Sequence, residues 1–136
     1  MNTVVLDAEA LNALAREDGV AKRRVRALMT KARERERPVV VPAAVLAELY
    51  RGPQHNQVVD SCLARERHLR VRDTDRELAR FVGGVLSSAR ASSSDLADAH
   101  VVAVAVEGGG GILVTGDPDD LGRLAAGYRG VVVAPI

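Results

Sequence analysis

Five apolar runs of strand length, separated by stretches of helical periodicity, constrain the fold of this chain more than any other feature. The runs predict strands near 3–7, 38–41, 69–71, 112–115 and 130–133. Strands that alternate with helices form βαβ units, and such units build a mostly parallel sheet flanked by helices, an α/β fold. At 136 residues the chain can bury a real core, and its length fits one domain over 1–136.

Between the first two strands the pattern predicts a short helix near 8–15 and a longer one near 19–36. In the longer helix the spacing of Val20, Arg24, Leu28 and Ala32 turns Val20 and Leu28 inward. Pro38 marks the exit, since proline disfavours helical geometry in the residue before it. Pro42 opens the next helix at its first position, where a missing N–H is harmless. That helix carries an inward stripe of Val45, Leu46, Leu49 and Tyr50, and Gly52-Pro53 ends it. A further helix is expected near 54–67. Thr74-Asp75-Arg76-Glu77 has the form of a capping box, predicting a helix from there to about Arg90. Ser92-Ser93-Ser94 offers N-caps to a helix over 95–107, whose run from Ala99 to Val106 is apolar almost all round and therefore buried. Gly108 to Gly111 lacks the Lys-Ser/Thr of a phosphate-binding loop and precedes a strand, so it reads as a helix-to-strand turn.

Composition excludes several functions. Aromatic residues are 2% of the chain against 47% hydrophobic in all, so the core is built from Val, Leu and Ala. Recognition of single strands by a row of aromatic rings is disfavoured. The start, Met1-Asn2-Thr3-Val4-Val5-Leu6-Asp7, has no positive region, unlike a signal peptide. The longest nearly uncharged segment, Ala99 to Val106, is less than half of the roughly 20 residues a membrane span needs. Cys62 is the only cysteine; it reads as a small buried apolar residue, and a reducing cytoplasm is the expected setting.

Net charge is +1, but it is unevenly placed. Lys22 to Arg37 holds eight basic residues against Glu34 and Glu36, whereas Asp95 to Ile136 holds six acids against Arg123 and Arg129. A basic helix opposite an acidic carboxyl half suits a polyanion held by Arg while cations offset the acids. A solvated helix face would show the same run.

Four acids carry the chemistry. Asp7 ends the first strand, and Asp117 follows the run 112–115 with only Gly116 between. If those strands are parallel neighbours, both acids emerge at the carboxyl edge of the sheet, where open α/β sheets bind ligands. Asp98 lies in the first turn of the buried helix; Asp95 is better placed to cap it, which leaves Asp98 free to face a cleft. Glu48 borders the buried stripe of its own helix, with Arg51 three residues on as a possible ordinary ion-pair partner. Asp117, before Pro118, also suits a helix cap. Carboxylates without His or Cys suit Mg²⁺ or Mn²⁺, which keep several waters. In phosphodiester chemistry one such ion can activate water while another, about 4 Å away, stabilises the leaving oxygen.

Four stretches, in order and spacing, resemble the PIN-domain ribonucleases, and among them the VapC-type toxins of bacterial toxin–antitoxin pairs. They are Val4-Val5-Leu6-Asp7-Ala8-Glu9-Ala10-Leu11, Pro42-Ala43-Ala44-Val45-Leu46-Ala47-Glu48-Leu49, Asp98-Ala99-His100-Val101-Val102-Ala103 and Val114-Thr115-Gly116-Asp117-Pro118-Asp119-Asp120-Leu121. The resemblance implies a PIN-like three-layer sandwich and a Mg²⁺-dependent endoribonuclease. Asp7, Glu48, Asp98 and Asp117 would be its catalytic and metal-holding acids, supported by Thr115 and Asp120. It further implies an RNA substrate, a homodimer, and a cognate antitoxin protein that occupies the cleft; Arg23, Arg24 and Arg51 are the candidate RNA contacts. His100 departs from the small or apolar residue expected there, and reads as a packed core histidine or a substrate contact.

Two other classes compete. A phosphotransfer receiver would also carry an acid after its first strand, but needs a late lysine, and the only lysines are Lys22 and Lys31. A catalytically inactive PIN-like module would bind RNA or protein without cutting; the complete acid set argues against it.

Overall fold

The computed structural model describes residues 2–16 and 18–136. In chain order the elements are β1 (Thr3–Leu6), α1 (Ala8–Ala15), α2 (Val20–Glu34), β2 (Val39–Pro42), α3 (Ala43–Leu49), α4 (Pro53–Arg65), β3 (Leu69–Arg72), α5 (Arg76–Ser88), a 3-10 turn at Ser93–Asp95, α6 (Leu96–Glu107), β4 (Gly111–Thr115), α7 (Pro118–Ala125) and β5 (Val131–Pro135). The five strands lie in the order β3-β2-β1-β4-β5, and every pairing is parallel. Among the described residues seven helices flank them in a PIN-like α/β sandwich.

Burial explains the arrangement. All of β1 is buried, as expected of a central strand covered on both faces. On one side α1 packs against β1 and β4, and α2, α3 and α4 pack against α1. On the other, α6 spans β1, β2, β4 and β5 and receives α5 and α7. Ala99 through Ala105 are all buried, so the helix that reads apolar on every side is enclosed on every side.

The chain leaves β1 toward β2 and β3, then crosses to the opposite side of β1 for β4 and β5. The strand order therefore reverses between β1 and β4, which pair in register with Leu6 opposite Val114. A reversal of this kind, at the carboxyl ends of the strands, is where open α/β sheets bind their ligands.

Several local expectations are corrected. Val20 is 56% exposed, and the buried residues of α2 are Val25 and Ala32, with Leu28 only partly covered. The helix packs through its middle and end, and its first turn projects into solvent. Pro42 closes β2 instead of opening a helix, and α3 starts at Ala43. Pro53 begins α4 at its first turn, while α3 has already stopped at Leu49. The cap of α5 is Asp75 rather than Thr74: its carboxylate accepts from the Leu78 N–H at 2.8 Å, and Arg72 holds the same group. Gly108 to Gly110 forms the expected turn, with positive φ at Gly109 and Gly110 that side chains tolerate poorly.

Candidate active site at the carboxyl edge of the sheet

Asp7 follows β1 directly and is 4% exposed. Its backbone N–H donates to the Val114 carbonyl, which ties it to the end of β4. Its carboxylate accepts from the Ala10 N–H at 2.8 Å, so it is the N-cap of α1, a structural role it fills while keeping one oxygen for other partners. Burial raises its pKa, and the nearby Asp117 adds to the rise. The Thr115 hydroxyl and the N–H groups of Ala10 and Glu9 work the other way by hydrogen-bonding the ionised form.

Thr115 is fully buried at the end of β4. Its Oγ1 accepts from the Asp117 N–H at 2.8 Å and faces the Asp7 carboxylate, joining two of the sequence-picked acids through one side chain. Between Thr115 and Asp117 stands Gly116, where a Cβ would collide with the Glu9 carboxylate. The loop after β4 therefore passes close to α1, and a side chain at position 116 would have to push the Glu9 carboxylate aside. Asp117 caps α7, accepting from the Asp120 N–H at 3.4 Å, and both of these acids are exposed.

Asp98 enters from α6 and is half-buried. Burial, reinforced by the charges of Asp7, Glu48, Asp120 and Asp95, pushes its pKa up to about 6. The structure thus brings Asp98 within electrostatic reach of acids from β1, α3 and α7. Among the described residues no three His, Cys, Asp or Glu side chains stand close enough to form a ready-made cage for a metal ion. The donor set nonetheless fits a hard cation, because Mg²⁺ takes one or two carboxylates and keeps its remaining positions for water and substrate. Buried carboxylates that repel each other with no cation of the chain beside them are the arrangement such an ion relieves.

Three expectations for these residues change. Glu48 is exposed, not half-buried, because α3 ends one residue later. Arg51 does not pair with it; its guanidinium donates to the carbonyls of Ala47 and Tyr50. Asp95 occupies the cap position of α6 but makes no side-chain cap bond; its carboxylate accepts from Arg123 at 3.3 Å. His100 is buried, with Nδ1 2.7 Å from the Leu96 carbonyl, so it packs in the core. Cys62 is buried as expected, and burial pushes its thiol pKa up.

Glu48 also lines a cleft of about 1150 Å³ between α1, α3 and α4. Its basic walls are Arg16, Lys22, Arg51 and Arg65, and among the described residues Glu48 is its one acid. Arg51 was legible in the sequence, whereas Arg23 and Arg24 lie exposed on α2 outside this cleft. Arg16, Lys22 and Arg65 were missed because they sit at helix ends, where periodicity assigns no face. Glu9 was missed too. Burial, Asp7 and Asp117 together raise its pKa, and the signal was its place two residues after Asp7 in the first turn of α1.

The PIN domain family model matches residues 4–127, and the chain belongs to the PIN-domain family. Its fold is similar to solved structures of three assemblies. VapBC from Salmonella typhimurium, bound to DNA, has a chain matching at TM-score 0.69 and 15% identity over 99% of this chain and 98% of its own. VapBC2 from Rickettsia felis, bound to a DNA fragment from its promoter, matches at 0.65 and 14%, covering 98% of each chain. A toxin–antitoxin complex from Klebsiella pneumoniae matches at 0.65 and 18%, covering 98% of this chain and all of the other. No curated protein matches the sequence. Among the described residues no helix is long and apolar enough to cross a membrane.

Proposed function

We propose that this protein is a metal-dependent endoribonuclease, a VapC-type toxin restrained by a cognate antitoxin. One observation carries the reading. Asp98 is held half-buried among the charges of Asp7, Glu48 and Asp120 at the strand-order reversal, beside a cleft whose walls are basic. Membership of the PIN family and the toxin–antitoxin assemblies among its structural neighbours support it.

Asp7, Asp98, Asp117 and Glu48 would hold Mg²⁺, or Mn²⁺ in its place. The bound ion would supply a water nucleophile at neutral pH and Lewis-acid stabilisation of the phosphodiester. The chain's own residues do the rest. Thr115 fixes the Asp7 carboxylate against the Asp117 backbone, and Asp120 adds negative charge at the rim. Arg16, Lys22, Arg51 and Arg65 bind the RNA phosphates and draw the strand across the acids. Arg23 and Arg24, outside the cleft, contribute to the wider basic field. An antitoxin segment that fills the cleft would block the same groups, and a homodimer is the expected assembly.

The test is cleavage of a mixed RNA pool by the purified chain with Mg²⁺, with Mn²⁺ and with EDTA, beside the Asp98→Asn variant. Metal-dependent cutting that the variant lacks is the expected result. Folded, antitoxin-free protein that binds RNA but never cuts it would instead establish the non-catalytic module.

A further inference from the structure

A second groove, of about 400 Å³, opens at the amino edge of the sheet, away from the acids. Its walls are Arg33, Arg37, Arg67, His68 and Arg70, and among the described residues Glu36 is its one acid. Among the described residues none of these four arginines has a carboxylate within ion-pair distance. Four guanidiniums gathered around one groove repel each other, and an anion relieves that repulsion.

The groove and the cleft that holds Glu48 lie along the same two helices. Lys22 in α2 lines the cleft, and Arg33 in the last turn of the same helix lines the groove. Eleven residues apart, they are separated by about 16 Å along the helix axis. At the end of α4, Arg65 lines the cleft and Arg67 the groove. The acid at this junction, Glu66, is neutralised by Arg26 from α2 at 2.8 Å. Among the described residues, a negatively charged strand passing Arg65 and Arg67 therefore meets a paired carboxylate and not a free one.

We propose that the amino-edge groove is a second phosphate-binding subsite that holds the flank of an RNA strand whose scissile segment lies in the cleft. The inference rests on the nuclease reading for the identity of the polyanion. A single-stranded phosphodiester fits better than an acidic peptide, because the basic residues form one track along two helices, and a phosphate backbone repeats its charge along such a track. The subsite sets the length of RNA that is bound well and contributes nothing to the chemistry.

Binding in EDTA reads the subsite without cleavage. Fluorescein-labelled oligouridylates of about 4 and about 16 nucleotides would be titrated by anisotropy against the parent chain, the Arg33→Gln/Arg70→Gln double variant and an Arg80→Gln control on α5. Both substituted groove residues are exposed, so the fold should persist, and thermal melting checks it. The long oligomer is expected to bind the double variant roughly tenfold more weakly, with its salt slope shallower by about 1.4, at about 0.7 per lost phosphate contact on a single strand. The short oligomer and the control should not change. Long-oligomer affinity and salt slope equal to the parent's would overturn the subsite, and so would equal weakening for both lengths. The nuclease reading fails separately, if the parent binds these oligomers but cuts no RNA with Mg²⁺ or Mn²⁺.

Discussion

Two groups of acids in this molecule have opposite electrostatics. At the edge of β3, Arg72 donates to Glu107 at 2.8 Å and to both oxygens of Asp75 at 3.1 Å. The guanidinium holds the Asp75 carboxyl below its ordinary range. At the ends of β1 and β4, the chain places Asp7, Glu9 and Asp98 together, among the described residues no arginine pairs with them, and all three pKa values rise. Acids that serve the fold receive a cation from the fold. Those that lack one keep a mutual repulsion that the fold itself does not relieve, and under the nuclease reading proposed above they are the acids that would take a cation from outside.

Removing charge from each group should have opposite effects. Asp98→Asn and Asp7→Asn should each lower Mg²⁺-dependent RNA cleavage by about a thousandfold, roughly 4 kcal/mol of transition-state stabilisation. Asn still caps a helix, so Asp7→Asn should melt normally by circular dichroism. A variant with near-parental cleavage would remove that acid from the site. Arg72→Met should do the reverse. It strands Glu107, one of whose oxygens is already buried without a partner, and should cost about 2 kcal/mol of stability in urea unfolding, while cleavage by the folded fraction stays level.

Stability against pH sharpens the contrast. The Asp98 carboxyl titrates near 6 folded against 3.8 in its unperturbed state, so the folded protein holds its proton longer. Its contribution is neutral below about pH 4, turns unfavourable as pH rises, and is fully unfavourable above about 6. Asp98→Asn should therefore stabilise the metal-free protein by on the order of 2 kcal/mol at pH 7, and by nothing at pH 3.5. Equal stabilisation at both values would show that desolvation of the charge is not the cause. Mg²⁺ should raise the melting temperature of the parent more than that of this variant.

Smaller effects test the support. Thr115→Val keeps the shape but leaves the Asp117 N–H without its acceptor, at about 1 kcal/mol, and should reduce cleavage; Thr115→Ser should restore most of it. Asp120→Asn, at an exposed position, should change cleavage only a few-fold. A loss as large as that of Asp98→Asn would move Asp120 from the rim to the centre.

Much of this architecture was legible because strands in a doubly covered parallel sheet are apolar on both faces. An acid immediately after such a run, as at Asp7 or Asp117, has few places to go but the edge. The buried face of α2 was not legible, since Val20 satisfies the period as well as Val25 does and only the reach of α1 decides between them. Glu48 was misplaced for a similar reason: its exposure depends on where α3 stops, and Leu49 and Tyr50 continue the apolar pattern past that point. The α5 cap slipped by one residue because Arg72, from a different element, favours Asp75 over Thr74. The basic cleft is a product of tertiary structure, assembled from the ends of helices that sequence periodicity treats one at a time.

The carbonyl of Leu96 fixes more than the packing of His100. A carbonyl cannot donate, so Nδ1 carries the proton, and that proton is shielded from solvent in a ring 5% exposed. The other two histidines, His55 and His68, are exposed and their ring protons exchange with water. A one-dimensional proton spectrum of unlabelled protein should therefore show a single slowly exchanging imidazole resonance far downfield. It arises two residues along α6 from Asp98, so the molecule carries its own spectroscopic gauge of whatever charge arrives at the acids.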